Sequence, residues 1–300
     1  MSLPLAYIGI IIIWSTTPLA VKWSAEETGY IFAVLSRMTI AAVLCQLLVI
    51  GFRSQWKWHK RALAMYTLSG FNISFSMILI YWGAQTISSG LIALLFGLMP
   101  LITGVFAAII LKEKSLTPQK LFGIATAFTG LVIIFYSKHT ADEGYLLAIT
   151  AVLSAVTWHS FSTVVFKRYA SDLPIMSVTA GSIWASVIML SAVWWFNNAP
   201  LPENNSMLGW GAILYLSIIA TVLGFTIYFY ILKRVEASKI ALIPLMTPVI
   251  ALLIGQYFNG EQPDSRIWWG ALLIIGGLSF YQIGGYMRQL FVKVNIRTNP

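Results

Sequence analysis

Residues Thr86 to Glu113 read TISSGLIALLFGLMPLITGVFAAIILKE, and residues Arg234 to Glu261 read RVEASKIALIPLMTPVIALLIGQYFNGE. At an offset of 148, Ile92-Ala93-Leu94 falls on Ile240-Ala241-Leu242, Pro100 on Pro248, Ile102 on Ile250 and Glu113 on Glu261. Six identities in 28 positions form a weak signal alone, because apolar segments match by chance. The place of the match gives it meaning. Each stretch is the fourth apolar run of its half of the chain, and each keeps a proline and a glutamate at the same spacing.

The runs are set by composition. Of 300 residues, 58% are apolar and 10% charged, and the mean hydropathy is +0.80. Soluble domains average roughly 45–50% apolar and about 25% charged, so too little polar surface is present to cover a particle in water. In lipid only helices and closed barrels satisfy their backbone groups. Barrel strands alternate apolar and polar residues over about ten positions. Here the runs are continuous and about twenty residues long, the length of a spanning helix. The expected class is an all-α membrane protein. Its first run starts at Leu3 with no basic leader region and no small-residue cleavage pattern, so a retained helix is expected. Cys45 is the single cysteine, which excludes an intramolecular disulfide.

Ten transmembrane helices are predicted, over 3–23, 30–51, 62–82, 86–111, 119–137, 144–166, 174–196, 209–232, 238–258 and 266–287. The third and fourth are close enough to form a tight hairpin around Gln85–Ser89. This alternation puts 15 of the 19 Lys and Arg on one face, among them Arg53, Lys57, Lys60, Arg61 and Arg234. Three (Lys22, Lys138, Arg266) fall on the other, and Arg37 lies within the second run. Basic residues concentrate in cytoplasmic loops, so both termini are expected in the cytoplasm of a bacterial-type inner membrane. The net charge of +9 is thereby an orientation signal rather than a nucleic-acid surface. Five helices is an odd number, so a duplicated half must sit upside down relative to the first. Inverted repeats around a central cavity are the architecture of secondary transporters. The expected units are 1–138, 144–288 and a cytoplasmic tail, 289–300.

The stretch Ser88-Ser89-Gly90-Leu91-Ile92-Ala93-Leu94-Leu95, with Pro100 and Lys112-Glu113-Lys114, resembles the hallmark of the drug/metabolite transporter superfamily, EamA branch. Its echo is Ala237-Ser238-Lys239-Ile240-Ala241 with Pro244, Pro248 and Gly260-Glu261. Trp14, Pro18 and Lys22 in the first helix and Arg37 with Ala41 in the second fit the same pattern. The resemblance covers the whole chain. It implies a ten-helix basket of two inverted five-helix repeats, and transport of amino acids, other metabolites or toxic compounds, often outward.

Ionisable groups within a membrane are functional candidates by default, and few are present. Glu113 and Glu261 sit at helix ends and read as capping or loop-pairing groups. Arg37 reads either as structural, bonded to carbonyls, or as an anion-binding group. His159 is the one deep group that titrates near neutral pH, and reads either as a hydrogen-bonded packing residue or as a substrate- or proton-binding one. Asn72 and Ser76, spaced i, i+4, share a helix face as interhelical glue or cavity lining. Among the deep aromatics, Trp14 and Trp158 hold corresponding positions in the two halves, and Phe96 and Tyr228 join them as cavity candidates. Pro18, Pro100, Pro244 and Pro248 each remove a backbone donor and mark bends or hinges.

No G-x-x-x-x-G-K-[ST] is present, so no nucleotide hydrolysis is expected. No deep carboxylate joins His159, and neither an HExxH nor a cysteine cluster occurs, so no enzyme activity, cofactor or metal is expected. The reading is a secondary transporter, an exporter of neutral, zwitterionic or aromatic metabolites. Import or facilitated diffusion is the alternative within transport, and a membrane enzyme or a receptor the alternative outside it. The expected partners are a small-molecule substrate, protons through His159, and the bilayer, with no nucleic acid. A monomer is expected, with a dimer as the alternative. Reporter fusions should give cytoplasmic signal near Lys57 and external signal near Asn204; the reverse pattern would overturn the orientation.

Overall fold

A computed structural model describes residues 2–112, 117–136, 143–169, 173–202, 206–232, 234 and 243–298. Glu113, Asn204, Lys233 and the echo Ala237–Ala241 lie outside the described residues. Every described element is helical: α1 (Leu3–Thr28), α2 (Tyr30–Gly51), α3 (Lys60–Ala84), α4 (Ser89–Phe96), α5 (Met99–Ile110), α6 (Pro118–Phe135), α7 (Glu143–Tyr169), α8 (Ile175–Phe196), α9 (Met207–Leu214), a π-helical segment (Tyr215–Leu223), α10 (Gly224–Leu232), α11 (Ile243–Asn259) and α12 (Ser265–Thr298). Each of the ten expected runs is helical over most of its described residues. Among those residues, eight helices are long and apolar enough to cross a membrane, and Ile243–Asn259 is a shorter apolar helix.

Two runs depart from uniform helix. The fourth breaks between α4 and α5. Pro100 has no N–H to offer the Phe96 carbonyl, and the chain tightens there, with Leu98 N–H donating to Leu95 O at 3.1 Å and Leu101 N–H to Leu98 O at 3.0 Å. The eighth carries nine residues of π-helix, Tyr215–Leu223. Two hydroxyls bond within it: Thr221 Oγ1 donates to Leu216 O at 2.8 Å and Ser217 Oγ to Ile213 O at 2.7 Å. Pro18 and Pro248 lie inside α1 and α11, which continue through them. Pro244 is the second described residue of α11.

The inverted relation is visible in the packing of α6 on α12. A Cβ at Gly123 would stand 2.5 Å from the Gly277 carbonyl oxygen, and one at Gly130 would stand 2.6 Å from the Gly270 carbonyl oxygen. The reciprocal approaches, Gly277 on Gly123 and Gly270 on Gly130, are equally close. Gly123 and Gly270 thus play one role and Gly130 and Gly277 the other, as a two-fold axis between the halves requires. Small residues let helix backbones meet where lipid offers no hydrophobic drive to associate. Correspondingly, α1 packs on α11 as α7 packs on α5, and α3 on α7 as α1 on the α9–α10 helix. α4 and α11 run antiparallel, and Gly97 at the α4 break lies against Pro248, where a Cβ would meet its Cγ at 3.3 Å.

The α3–α4 hairpin is held from both sides. Lys22, which the charge pattern assigns to the outer face, is a buried residue of α1, 8% exposed. Its Nζ donates to Ala84 O and Ile87 O, both at 3.1 Å, and pairs with Glu26 at 2.9 Å. On the other side Glu261 accepts from the Ser89 and Gly90 amides at 2.8 and 3.3 Å and from Asn259 Nδ2 at 3.2 Å. Ser88 Oγ accepts from the Leu91 amide at 3.2 Å. Trp23 Nε1 donates to Asn259 Oδ1 at 2.8 Å, tying α1 to α11. A carboxylate at a helix N-terminus also meets the positive end of its dipole. Glu261→Ala is expected to cost about 1–2 kcal/mol of stability by uncapping α4, while Glu261→Gln keeps most of it. Thermal unfolding of the purified protein in lipid nanodiscs measures both; equal midpoints for wild type and Glu261→Ala would refute the cap.

Candidate substrate site

α3 lies between α7 and α8 and shows a different chemistry to each. Towards α8, Gly70 sits against Ala185 and the Ser182 carbonyl, and Ser74 Oγ donates to Gly70 O at 2.9 Å and Ser186 O at 3.3 Å. Towards α7, Ser76 Oγ donates to Ala155 O at 3.4 Å, and Gly83 packs on Ala148 and Val152. These contacts set an antiparallel register in which Ser76 meets Ala155. One helical turn further, on the same two faces, that register sets Asn72 level with His159. Asn72 is 9% exposed, and its Oδ1 is buried without a hydrogen-bond partner among the described residues. His159 is half-buried.

Beside this polar seam the aromatic residues converge. Phe71 and Phe75 stack at 6.0 Å on α3, and Trp158 of α7 meets them edge-on at 6.1 and 5.6 Å. Phe161, one turn along α7, lies 5.8 Å from Trp158 and 5.5 Å from Phe106 of α5. The rings of Phe75, Phe106, Trp158 and Phe161, with Leu153, Ser154 and Thr157, line a groove of about 500 Å³. That falls within the roughly 300–1,000 Å³ typical of small-molecule sites. Trp158 Nε1 is buried with no partner among the described residues, so an indole donor at the groove wall is unspent.

The other deep aromatics gather elsewhere. Trp14 of α1 and Tyr228 of α10 pair at 5.1 Å, and Gly224 leaves room for the Trp14 indole. Thr16 and Tyr215 hydroxyls bond at 2.6 Å, joining α1 to the π-helical segment. Phe96 is half-buried at the end of α4, next to the break. Trp158 therefore groups with the rings of α3 and α5, and Trp14 with Tyr228; no ring contact joins the two groups among the described residues.

Arg37 is 8% exposed and ties three elements together. Nη1 donates to Tyr81 OH at 3.3 Å and Nη2 to Thr221 Oγ1 at 3.4 Å, while its own carbonyl accepts from Ser217 Oγ at 3.3 Å. No carboxylate pairs with it among the described residues. The guanidinium thus anchors α2 to α3 and to the π-helical segment.

Sequence reasoning passed over Phe71, Phe75, Phe106 and Phe161. Their signal was present in part, since Phe71 and Phe75 are spaced i, i+4 and Trp158 and Phe161 i, i+3. Nothing in the sequence ties Phe106 to them.

A multi-span helical bundle with inverted halves, proline-broken helices and an apolar groove defines a polytopic membrane transporter. The profile of the EamA-like transporter family matches residues 2–136 and again 144–281, and the chain belongs to that family. It is 26% identical to an uncharacterized transporter of Archaeoglobus fulgidus over 88% of this chain and 93% of that one. It is 26% identical to protein PagO of Salmonella typhimurium over 87% of this chain and 86% of that one. A probable terminal-alkyne amino-acid exporter of Streptantibioticus cattleyicolor is 24% identical over 89% of each chain. One solved crystal structure shares the fold with a TM-score of 0.64 at 17% identity, over 95% of this chain and 99% of that one.

The register of α3 on α7 is open to a direct check. In a Cys45→Ser background, the pair Asn72→Cys with His159→Cys should cross-link with a short bifunctional reagent. The pair Ser74→Cys with His159→Cys should not, because Ser74 faces α8, on the other side of α3. Equal cross-linking of both pairs would refute the register.

Proposed function

We propose that this protein is a secondary transporter of neutral, zwitterionic or aromatic small metabolites, working by alternating access in a bacterial-type inner membrane with both termini cytoplasmic. The observation that carries the substrate class is the aromatic groove at Trp158. It offers ring faces, and no carboxylate lines it among the described residues. Without an acidic group the groove cannot neutralise the two charges of a dication, although its ring faces attract cations, whereas flat uncharged or zwitterionic solutes gain from ring contact without that need. The outward direction is supported by the likeness to a probable amino-acid exporter. The twofold match of the family profile, over 2–136 and 144–281, supports two repeats within the limits 1–138 and 144–288; residues 289–300 are the proposed tail.

Alternating access needs helices that bend, and the break at Gly97–Leu98 in the first repeat, abutting Pro248 of the second, supports such a bend point at the repeat interface. Trp14, Asn72, Ser76, Phe96, Trp158, His159 and Tyr228 are the substrate-cavity residues of this reading, and Pro18, Pro100, Pro244 and Pro248 its bend points. Protons are the proposed coupling ion. His159 is the proposed carrier, because an imidazole ordinarily titrates near neutral pH.

Uptake by reconstituted liposomes, screened over amino acids, aromatic metabolites and lipophilic cations, with and without a pH gradient, tests the proposal. Wild type should transport an uncharged or zwitterionic solute and respond to the gradient. His159→Gln should keep downhill exchange and lose that response, and Trp158→Ala should raise the substrate KM about tenfold or more, a loss of roughly 1.4 kcal/mol of binding. A wild type indifferent to the gradient would remove the proton from the mechanism. A preference for lipophilic dications would overturn the substrate class.

A further inference from the structure

The segment joining α2 to α3, Arg53-Ser54-Gln55-Trp56-Lys57-Trp58-His59-Lys60-Arg61, is used by none of the transport machinery, and its chemistry is unusual in this chain. Four cations lie within nine residues, and no Asp or Glu occurs between Glu27 and Glu113 to offset them. The first turn of α3 holds Lys60 and Arg61 with no acidic residue, and His59 at its N-cap makes no side-chain cap. The positive end of a spanning helix therefore adds to the positive field rather than being neutralised.

Aromatic residues share the segment with these charges. Trp56 and Trp58 stack at 5.5 Å, and Trp56 meets Tyr66 of α3 edge-on at 5.9 Å. Trp56 packs with Phe166 and Leu173 over a small core of Ala62, Tyr66 and Val178. Trp58, stacked on that base, is 69% exposed, and Phe52 beside it is 70% exposed. The loop is also tied down: Tyr66 OH donates to Lys57 O at 3.1 Å, Ser177 Oγ to Gln55 O at 2.8 Å, and the Ser54 and Ser177 hydroxyls bond at 3.1 Å. The result is a fixed platform at the ends of two spanning helices, with exposed rings among the exposed Arg53, Lys60 and Arg61 and a half-buried Lys57 whose Nζ donates to Gln55 Oε1 at 3.1 Å.

We propose that this platform is a docking site for an anionic phospholipid of the leaflet it abuts. Arg53, Lys57 and Lys60 meet the headgroup phosphodiester, and Trp58 and Phe52 sit at the headgroup–acyl boundary. Charge complementarity selects the occupant: juxtamembrane clusters of Lys and Arg attract anionic lipid, and indoles favour the interface between headgroup and hydrocarbon. A soluble phosphate meets the cations but has no use for the two exposed rings, and a zwitterionic lipid meets the rings but carries no net charge. The proposal is independent of the substrate and of the direction of transport.

The test uses the full chain, purified in detergent and titrated with phosphatidylglycerol, phosphatidylcholine or inorganic phosphate, with bound lipid read by native mass spectrometry. Wild type should retain phosphatidylglycerol over phosphatidylcholine, and millimolar phosphate should not displace it. The triple variant Arg53→Gln, Lys57→Gln, Lys60→Gln should lose about tenfold or more of that retention. Trp58→Ala, at an exposed position that leaves the fold intact, should weaken it separately. Equal retention by wild type and both variants would overturn the proposal, as would equal binding of the two lipids. Displacement by phosphate would show an anion site that needs no lipid, and would overturn it too.

Discussion

A backbone amide or carbonyl within a bilayer must find its partner in the protein, and the turn between α3 and α4 shows what that demands. α3 runs out of partners at Ala84 and α4 begins without them at Ser89, with both ends buried. Lys22 of α1 reaches the carbonyls of Ala84 and Ile87, and Glu261, beyond the end of α11, reaches the amides of Ser89 and Gly90. Each charge sits at the helix end whose dipole it complements. Because one partner comes from each half of the chain, the hairpin is complete only when both repeats are in place. A local backbone requirement thereby couples the two halves.

The same constraint sorts the helices into stiff and yielding ones. α6 and α12 meet backbone to backbone at two glycine pairs, Gly123 with Gly277 and Gly130 with Gly270. α4–α5 and the α9–α10 helix instead carry interrupted hydrogen bonding, at Gly97–Leu98 and over Tyr215–Leu223. Both interruptions face the other repeat: Gly97 lies on Pro248, and the π-helical segment lies on α2 through Arg37. Irregular backbone at membrane depth persists where it is buried in protein or lines a cavity, and transporters place it at the repeat interface.

Polar groups follow a related rule. The deep serines are largely spent on carbonyls of their own or a neighbouring helix, as at Ser74, Ser76 and Ser217. Asn72 Oδ1 and Trp158 Nε1 are not, and both lie along the α3–α7 contact, one in the seam and one at the groove. Here an unspent acceptor and an unspent donor lie beside a ring-lined groove.

Helix number and the inverted relation of the halves were legible in the sequence, because both rest on properties that add along a chain. Runs of apolar residues measure bilayer thickness, alternating Lys and Arg count the crossings, and Pro100 and Pro248 with their following glutamates mark equivalent positions. The capping role of Glu261 was legible for the same reason, since a carboxylate at a helix end has few alternatives. Which side chains meet was not. Lys22 reads as an outer-face charge at the end of the first helix until the hairpin carbonyls are brought beside it, and Phe106 joins Trp158 only because α5 packs against α7. Trp14 and Trp158 look like a matched pair by position, and each meets rings on the corresponding helix of the other half, Tyr228 of α10 and Phe71 and Phe75 of α3, but nothing along the chain says which rings those are. Periodicity tells which residues share a face of one helix. The rotation and register that bring two faces together come from interlocking of small and large residues between helices, and that only the tertiary structure decided.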